Sequence, residues 1–243
     1  DHPTYHPGLW MAFGDISGAD DWRLKAPVEH VEFTQPPVGA PGRGTFAVRN
    51  RYLGADRQQV VCQELCQFTV AARNDGFVIL WDSSFTGVHE FSFGDQEEMG
   101  LGIRVATPIR VETGNKGDDP GIVAGNGTIL DAEGRRNGDQ VWGRASRWCD
   151  YSGTLQERLV GITLLCHPDN FRPSWFHARD YGLLLANPFG RQAFEKGDAS
   201  KVTVSPGETL RLRYGVLVHE HPVGTAPDLE AAYGEYLKLS QTK

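Results

Sequence analysis

Short runs of apolar residues, bounded by turn-forming residues, recur along almost the whole chain. Segments such as RGTFAVRNRYLG, GFVILWDSSF, MGLGIRVAT and LRLRYGVLVHE are rich in β-branched and aromatic residues and end near Gly, Pro, Asn or Asp. The 29 glycines and 14 prolines leave little room for long helices. Because the strands do not alternate with helical segments, the pattern predicts an all-β fold, an antiparallel β-sandwich of two stacked sheets.

One helix is predicted, at the carboxyl end. PDLEAAYGEYLKLSQ places apolar residues at spacings of three and four after a proline, which is typical of a helix that packs on a sheet. The Gly- and Asp-rich segment TGNKGDDPGIVAGNGT is flanked by strands of the same character, so it is predicted to be a surface loop. Residues 1–243 are therefore expected to form a single β-sandwich domain.

Charge and composition exclude several classes of partner. The net charge is -7 and no run of basic residues occurs, which argues against nucleic acid. No apolar run is long enough for a membrane helix, and the opening DHPTYHPG does not resemble a signal peptide. A soluble chain without a membrane partner is expected, in a compartment that the sequence does not specify. The four cysteines, without a CxxC pair, are predicted to be buried free thiols.

The segment SWFHARDYG contains the strongest candidate for a site. In a strand, alternation would place on one face Trp175, His177, Arg179 and Tyr181. A row facing the core would not contain Arg, and a row facing solvent seldom needs Trp. This face is therefore predicted to bind a ligand. Asp180 lies on the opposite face, so its carboxylate could take part, as an orienting group, only if a bulge or twist turned it toward the ligand.

A second segment, VWGRASRWCDYSG, shows a similar pattern. As one strand it would align on one face Trp142, Arg144, Ser146, Trp148 and Asp150. Flat rings beside directed hydrogen-bond donors suit a sugar, whose C–H faces stack and whose hydroxyls need partners. The same pattern also fits a structural ladder in which Arg stacks on Trp. Both interpretations stay open.

The amino-terminal segment adds two histidines. His2 and His6 lie four residues apart, each followed by a proline, so a helix is disfavoured there. They could act as acid and base or as metal ligands. Trp10 and Arg23 from the same segment complete the predicted sugar-binding residues.

Four blocks carry a resemblance to a known family: YHPGLWMAFGDISGADDWR, VWGRASRWCDYSG, GITLLCHPDNFRPSWFHARDYGLLLANPFG and LRLRYGVLVHE. They resemble the bacterial family of unknown function DUF6807, long labelled methane oxygenase PmoA. The resemblance implies a galactose mutarotase-like supersandwich and a link to sugar metabolism. A genuine methane monooxygenase subunit would need several membrane-spanning helices, which this sequence lacks. Relatives extend further at the amino end, so this chain is expected to lack some of their strands.

Three functional hypotheses follow, each with a small sugar or glycoside as partner. The first is a sugar epimerase or mutarotase-like enzyme without a cofactor, in which His6 and His177 move protons and Asp180 orients them. Its predicted substrate-binding residues are His2, Trp10, Arg23, Arg144, Trp148, Trp175 and Arg179. The second is a lyase or hydrolase of oxidised sugars with a divalent metal on His2, His6 and His177. The third is a glycan-binding module without catalysis.

Overall fold

The computed structural model describes residue 6, residues 8–111 and residues 125–241. His2 lies outside this part of the chain, and so does most of the segment predicted to be a surface loop, since residues 112–124 are not described. The described strands, in chain order, are β1 (Leu9–Phe13), β2 (Val28–Ala40), β3 (Arg43–Leu53), β4 (Val60–Arg73), β5 (Gly76–Thr86), β6 (Phe91–Phe93), β7 (Met99–Arg104), β8 (Thr128–Asp131), β9 (Arg144–Ala145), β10 (Trp148–Leu155), β11 (Arg158–Cys166), β12 (Trp175–Arg179), β13 (Leu183–Asn187), β14 (Val202–Val204) and β15 (Leu210–Pro222).

These strands form two large antiparallel sheets and a small ribbon. The five-stranded sheet has the order β1-β7-β13-β12-β9, and the eight-stranded sheet has the order β2-β3-β4-β5-β15-β11-β10-β8. Strands β14 and β6 form the ribbon. The described helices are α1 (Asn137–Val141), α2 (Leu229–Gln241) and a single 3₁₀ turn (Thr107–Ile109). The predicted antiparallel sandwich with a carboxyl-terminal helix is confirmed.

Aromatic side chains fill the space between the two sheets. Phe13 contacts Phe85, Phe93 and Phe189 edge to face, while the rings of Phe93 and Phe189 stack 4.7 Å apart. Such contacts each contribute about 0.5–1.5 kcal/mol beyond the burial of apolar area. This core covers the inner face of each sheet, so any binding surface must lie on an outer face or at an edge.

Helix α2 covers part of the outer face of the eight-stranded sheet. Its Leu229 and Tyr236 pack against Leu80 and Leu217, as the spacing of three and four predicts. The four cysteines are free and buried, and this prediction is confirmed.

The segment VWGRASRWCDYSG does not form one strand, and this prediction was wrong. It begins at the end of α1, turns at Gly143, forms the two-residue strand β9 and then enters β10 in the other sheet. Because a turn interrupts the alternation, Trp142 and Trp148 lie in different parts of the molecule.

Strand β2 forms one edge of the eight-stranded sheet. Its pairing with β3 shifts register at three places, and Pro36 and Pro37 lie within the last shift. Ion pairs join β2 to β3 on one face, from Arg49 to Glu32 at 3.0 Å and from Arg51 to Glu29 at 2.7 Å.

Candidate functional site

The outer face of the five-stranded sheet, which is turned away from the eight-stranded sheet, carries an ordered grid of side chains. Four residues of neighbouring strands lie in one cross-strand row, in the order Trp10, Gly102, Leu185 and His177. The next row contains Arg104, Leu183 and Arg179. Since directly opposed residues of paired strands point to the same side, these side chains share one surface.

Strand β12 has the alternation that the sequence predicts. Phe176 and Ala178 belong to the core between the sheets, whereas Trp175, His177 and Arg179 point to the outer face. Strand β12 is held between β13 and β9, so its side-chain directions are fixed by backbone pairing on both sides.

A carboxylate, a guanidinium and an imidazole meet on this face. Arg179 Nε donates to His177 Nε2 at 2.8 Å, and Arg179 Nη2 donates to Glu97 Oε2 at 3.0 Å. The distance from His177 Nε2 to Glu97 Oε2 is 3.4 Å. The side chains of Arg179 and Glu97 are 40% and 32% exposed, but that of His177 is only 5% exposed. A ligand would therefore meet Arg179 and Glu97 first.

The hydrogen bond from Arg179 defines the state of His177. Because Nε2 accepts a hydrogen bond from Arg179, the imidazole proton of the neutral ring belongs on Nδ1. Burial lowers the pKa of His177 to about 3, and the positive charges of Arg179 and Arg104 act in the same direction. His177 is consequently neutral at pH 7, and it supports Arg179 rather than supplying an acidic proton.

Asn187 positions the chain that carries Glu97. Its amide nitrogen donates to the main-chain carbonyls of Gln96 and Glu97, at 2.7 and 3.0 Å. Its amide oxygen accepts from the main-chain N–H groups of Phe189 and Gly190, at 2.7 and 3.1 Å. Asn187 is fully buried, so these four bonds fix the approach of Glu97 to the sheet.

Asp95 anchors the same segment from its other end. Its carboxylate accepts main-chain N–H groups of Gln192, Ala193 and Ser200, at 2.9, 3.0 and 2.6 Å. These bonds also hold the loop that brings the ring of Phe194 within 6.2 Å of the ring of His177. The loop thus closes one side of the outer face.

Indole rings border the face at both ends. The guanidinium of Arg179 lies 5.8 Å from the ring centre of Trp142, and Trp175 lies beside Phe194. At the other end the ring of Trp10 rests directly over Gly102, where a Cβ atom would come within 2.7 Å of the indole. Glycine is required there because any side chain would displace the ring.

Four hydrogen-bond donors on this face have no partner among the described residues. They are buried, and they are Trp10 Nε1, Trp142 Nε1, Arg104 Nε and His177 Nδ1. An unsatisfied buried donor costs about 1–3 kcal/mol, so native proteins concentrate such groups where a role requires them. The face therefore offers donors and flat rings to a ligand that is rich in acceptor oxygens.

The structure does not bring His6 and His177 into contact. The ring of His6 packs against Trp10 at 4.6 Å and against Trp22 at 4.1 Å. Trp10 is three strands from His177, about 14 Å between Cα atoms at the usual strand spacing. In the described ranges no group of three His, Cys, Asp or Glu side chains is arranged to hold a metal ion.

The other predicted site residues are dispersed. Arg23 contacts Glu98, Asp20 and Gln96 at the rim beyond Trp22. Asp180 lines a pocket together with Trp142 and Arg179. Its carboxylate accepts from Gly138 N at 2.7 Å and so positions α1, which Trp142 follows directly.

Two predicted sugar ligands lie off the outer face. Arg144 is exposed on β9 opposite Phe176, whose side chain points to the core, so Arg144 does not join the row of His177. Trp148 is buried under α2 and donates to Glu230 at 2.9 Å. The expectation of a shared face with Trp175 was wrong for both residues, because the strand that was to carry them is broken.

Sequence reasoning missed Glu97, Asn187 and Arg104. The first precedes β7 in the segment GDQEEMG, and the second ends β13 in the segment ANPFG. Two adjacent acids before a strand, and an Asn followed by Pro, are weak local signals that many surface turns share. Only strand pairing brings these residues to β12.

Comparison with known proteins identifies the family. The model of the family of unknown function DUF6807 matches residues 1–233, so the chain belongs to this family. No curated protein matches the chain. A solved structure, the α-galactosidase from Lactobacillus brevis, is similar with 8% identity and a TM-score of 0.43. The similarity covers 82% of this chain but only 28% of the α-galactosidase. Neither helix of the described residues could cross a membrane.

Proposed function

We propose that the chain binds a small sugar on the outer face of the five-stranded sheet. The observation that carries this proposal is the grouping of four buried donors, which lack partners among the described residues, with the partly exposed Glu97–Arg179 pair between indole rings. Sugar hydroxyls accept and donate in several directions, and sugar C–H faces stack on aromatic rings. A ligand of this kind satisfies the donors and covers the rings at the same time.

Proton transfer from the bound sugar to the protein is the second part of the proposal. Glu97 is the exposed carboxylate at the centre of the face, and Arg179 stabilises its charge at 3.0 Å. A positioned base contributes about 10²–10⁴-fold to a proton-transfer rate. Glu97 therefore takes the role of general base in an epimerase or mutarotase-like reaction, in place of His6, while neutral His177 orients Arg179.

Binding is tested with a matched pair of arginine variants. Arg179→Ala removes the guanidinium from the face, whereas Arg49→Ala removes one that is equally exposed, at 40%, and paired with Glu32 at the same 3.0 Å distance. Saturation-transfer NMR with D-galactose, D-glucose and their uronic acids gives the affinities. We expect Arg179→Ala to weaken binding by about 10-fold or more and Arg49→Ala to leave it unchanged. No binding to the wild-type protein, or equal losses in both variants, would contradict the proposal.

Catalysis is tested separately on the sugar that binds. A pure anomer is supplied, and its conversion is followed by NMR with wild-type protein, Glu97→Gln and the control Glu32→Gln. We expect Glu97→Gln to lower the rate by about 10²-fold while binding is retained, because the amide keeps the shape but cannot take the proton. Binding without acceleration over buffer would leave a glycan-binding module and remove the enzymatic part.

A further inference from the structure

Arg104 is a cation on the proposed sugar-binding face that has no carboxylate partner in the described part of the chain. Its guanidinium carbon lies 5.4 Å from the ring centre of Tyr181, and its Nε is buried without a hydrogen bond to a described residue. Among the described residues, no Asp or Glu forms an ion pair with it. The other arginines of this face differ, since Arg23 is paired with Glu98 and Arg179 with Glu97.

The unpaired charge is unfavourable for the protein alone. Burial lowers the pKa of Arg104 from its ordinary value, although a guanidinium stays charged at neutral pH. A partly buried charge without a counter-ion weakens the fold unless a ligand compensates it. Leucine or methionine in this row would bury the same stem without a charge.

The charge of Arg104 acts at the centre of the site. Arg104 and Arg179 lie in one cross-strand row with Leu183 between them, which separates their Cα atoms by about 10 Å. Directly opposed residues of paired strands point to the same side, so both guanidinium groups lie on the outer face and can contact one ligand. The positive charges of this face belong to Arg23, Lys25, Arg104 and Arg179, and the negative charges of their ion pairs belong to Asp20, Glu97 and Glu98, so the excess positive charge favours an anion.

We propose that the sugar bound here carries a carboxylate, as a uronic or aldonic acid does, and that Arg104 binds that carboxylate. This inference rests on the proposed function. The planar guanidinium offers paired donors that match the two oxygens of a carboxylate, and its Nε makes no hydrogen bond to the described residues. The Glu97–Arg179 pair then contacts the hydroxyls of the ring, about one sugar length away along the row.

Calorimetric titration compares D-galacturonate and D-glucuronate with D-galactose and D-glucose. We expect the wild-type protein to bind a uronate at least about 10-fold more tightly than the matching neutral sugar, because hydrogen bonds between a guanidinium and a carboxylate increase affinity by about that factor. Arg104→Gln removes this preference, because it lowers the affinity for the uronate more than the affinity for the matching neutral sugar. Arg104→Lys keeps the charge but loses the paired donors of the guanidinium, so its preference for the uronate is intermediate. Arg51→Gln, on the other sheet, is the control.

The outcomes separate the two proposals. If uronate and neutral sugar bind equally well to the wild-type protein and Arg104→Gln weakens both to the same extent, the carboxylate inference is overturned and the proposed function stands. If no sugar binds to folded wild-type protein, the proposed function fails, and this inference fails with it. Circular dichroism establishes that each variant is folded. Should Arg104→Gln not fold, the uronate preferences of the wild-type protein and of Arg104→Lys test the inference instead. Added salt should then weaken uronate binding and leave neutral-sugar binding unchanged.

Discussion

Asn187 offers the sharpest test of how the fold positions the site. Asn187→Ala removes four hydrogen bonds at once and leaves two buried N–H groups and two carbonyls without partners. At about 1 kcal/mol for each bond, the free energy of unfolding falls by about 4 kcal/mol. For a chain of this size that lowers Tm by about 8–16 °C. Glu97 loses its fixed approach to the sheet, so sugar binding weakens as well.

The conservative variant separates the two halves of this network. Asn187→Asp keeps an oxygen for Phe189 N–H and Gly190 N–H but places a second carboxylate oxygen against the two carbonyls. Protonation turns that oxygen into a donor, so burial beside the carbonyls raises the pKa of Asp in the folded state above its unfolded value. The variant is therefore closest to wild type in stability at low pH, where its single O–H can donate to one of the two carbonyls, and it loses stability as pH rises through the folded pKa.

The assay is thermal and urea unfolding over a range of pH, followed by sugar titration. Asn126→Ala is the control, because Asn126 also makes two main-chain bonds, to the N–H and carbonyl of Thr154, but is exposed. We expect Asn126→Ala to lower the free energy of unfolding by less than about 1 kcal/mol. The reasoning is refuted if Asn187→Ala costs no more than Asn126→Ala, or if sugar affinity is unaffected by a clear loss of stability.

Three further predictions follow. The folded pKa of His177, about 3, lies below the unfolded value of 6.5. His177 therefore lowers the free energy of unfolding as pH falls below about 6.5, by up to about 1.4 kcal/mol per pH unit. The same pH dependence of this free energy in wild type and His177→Phe, down to about pH 4, would contradict the prediction. Gly102→Ala forces the ring of Trp10 off its position and should alter tryptophan fluorescence and weaken sugar binding; an unchanged spectrum and affinity would show that the ring tolerates the methyl group. Burial raises the pKa of Glu64, so this carboxyl destabilises the fold progressively as pH rises, and Glu64→Gln should gain stability over wild type towards high pH; a constant difference in urea midpoint across pH would refute it.

Local periodicity determined what the sequence could predict. The period of two along β12 fixes which of Trp175, Phe176 and His177 face the core, because strand geometry alone sets that order. The same reasoning failed between Trp142 and Trp148, where α1 and a turn replace a continuous strand. The burial of Trp148 depends on the packing of α2 against the sheet, which the local sequence pattern does not predict.

The centre of the site could not be predicted for a related reason. Glu97 and Arg179 are separated by 82 positions in the chain and meet only because β7, β13 and β12 are neighbours in the sheet. Their contact also needs the amide of Asn187, a residue whose local setting resembles an ordinary turn. Long-range pairing of this kind is a property of the complete sheet order.

The bulged, proline-containing edge at β2 bears on how this molecule behaves in a crowded solution. A proline has no N–H, and successive residues of a strand direct their N–H groups to opposite sides, so the adjacent Pro36 and Pro37 remove one donor from the open edge, while the register shifts bend the neighbouring ones out of line. Strand addition by another chain is therefore disfavoured at this edge of the sheet, and the obstacle lies in the covalent structure of the strand itself.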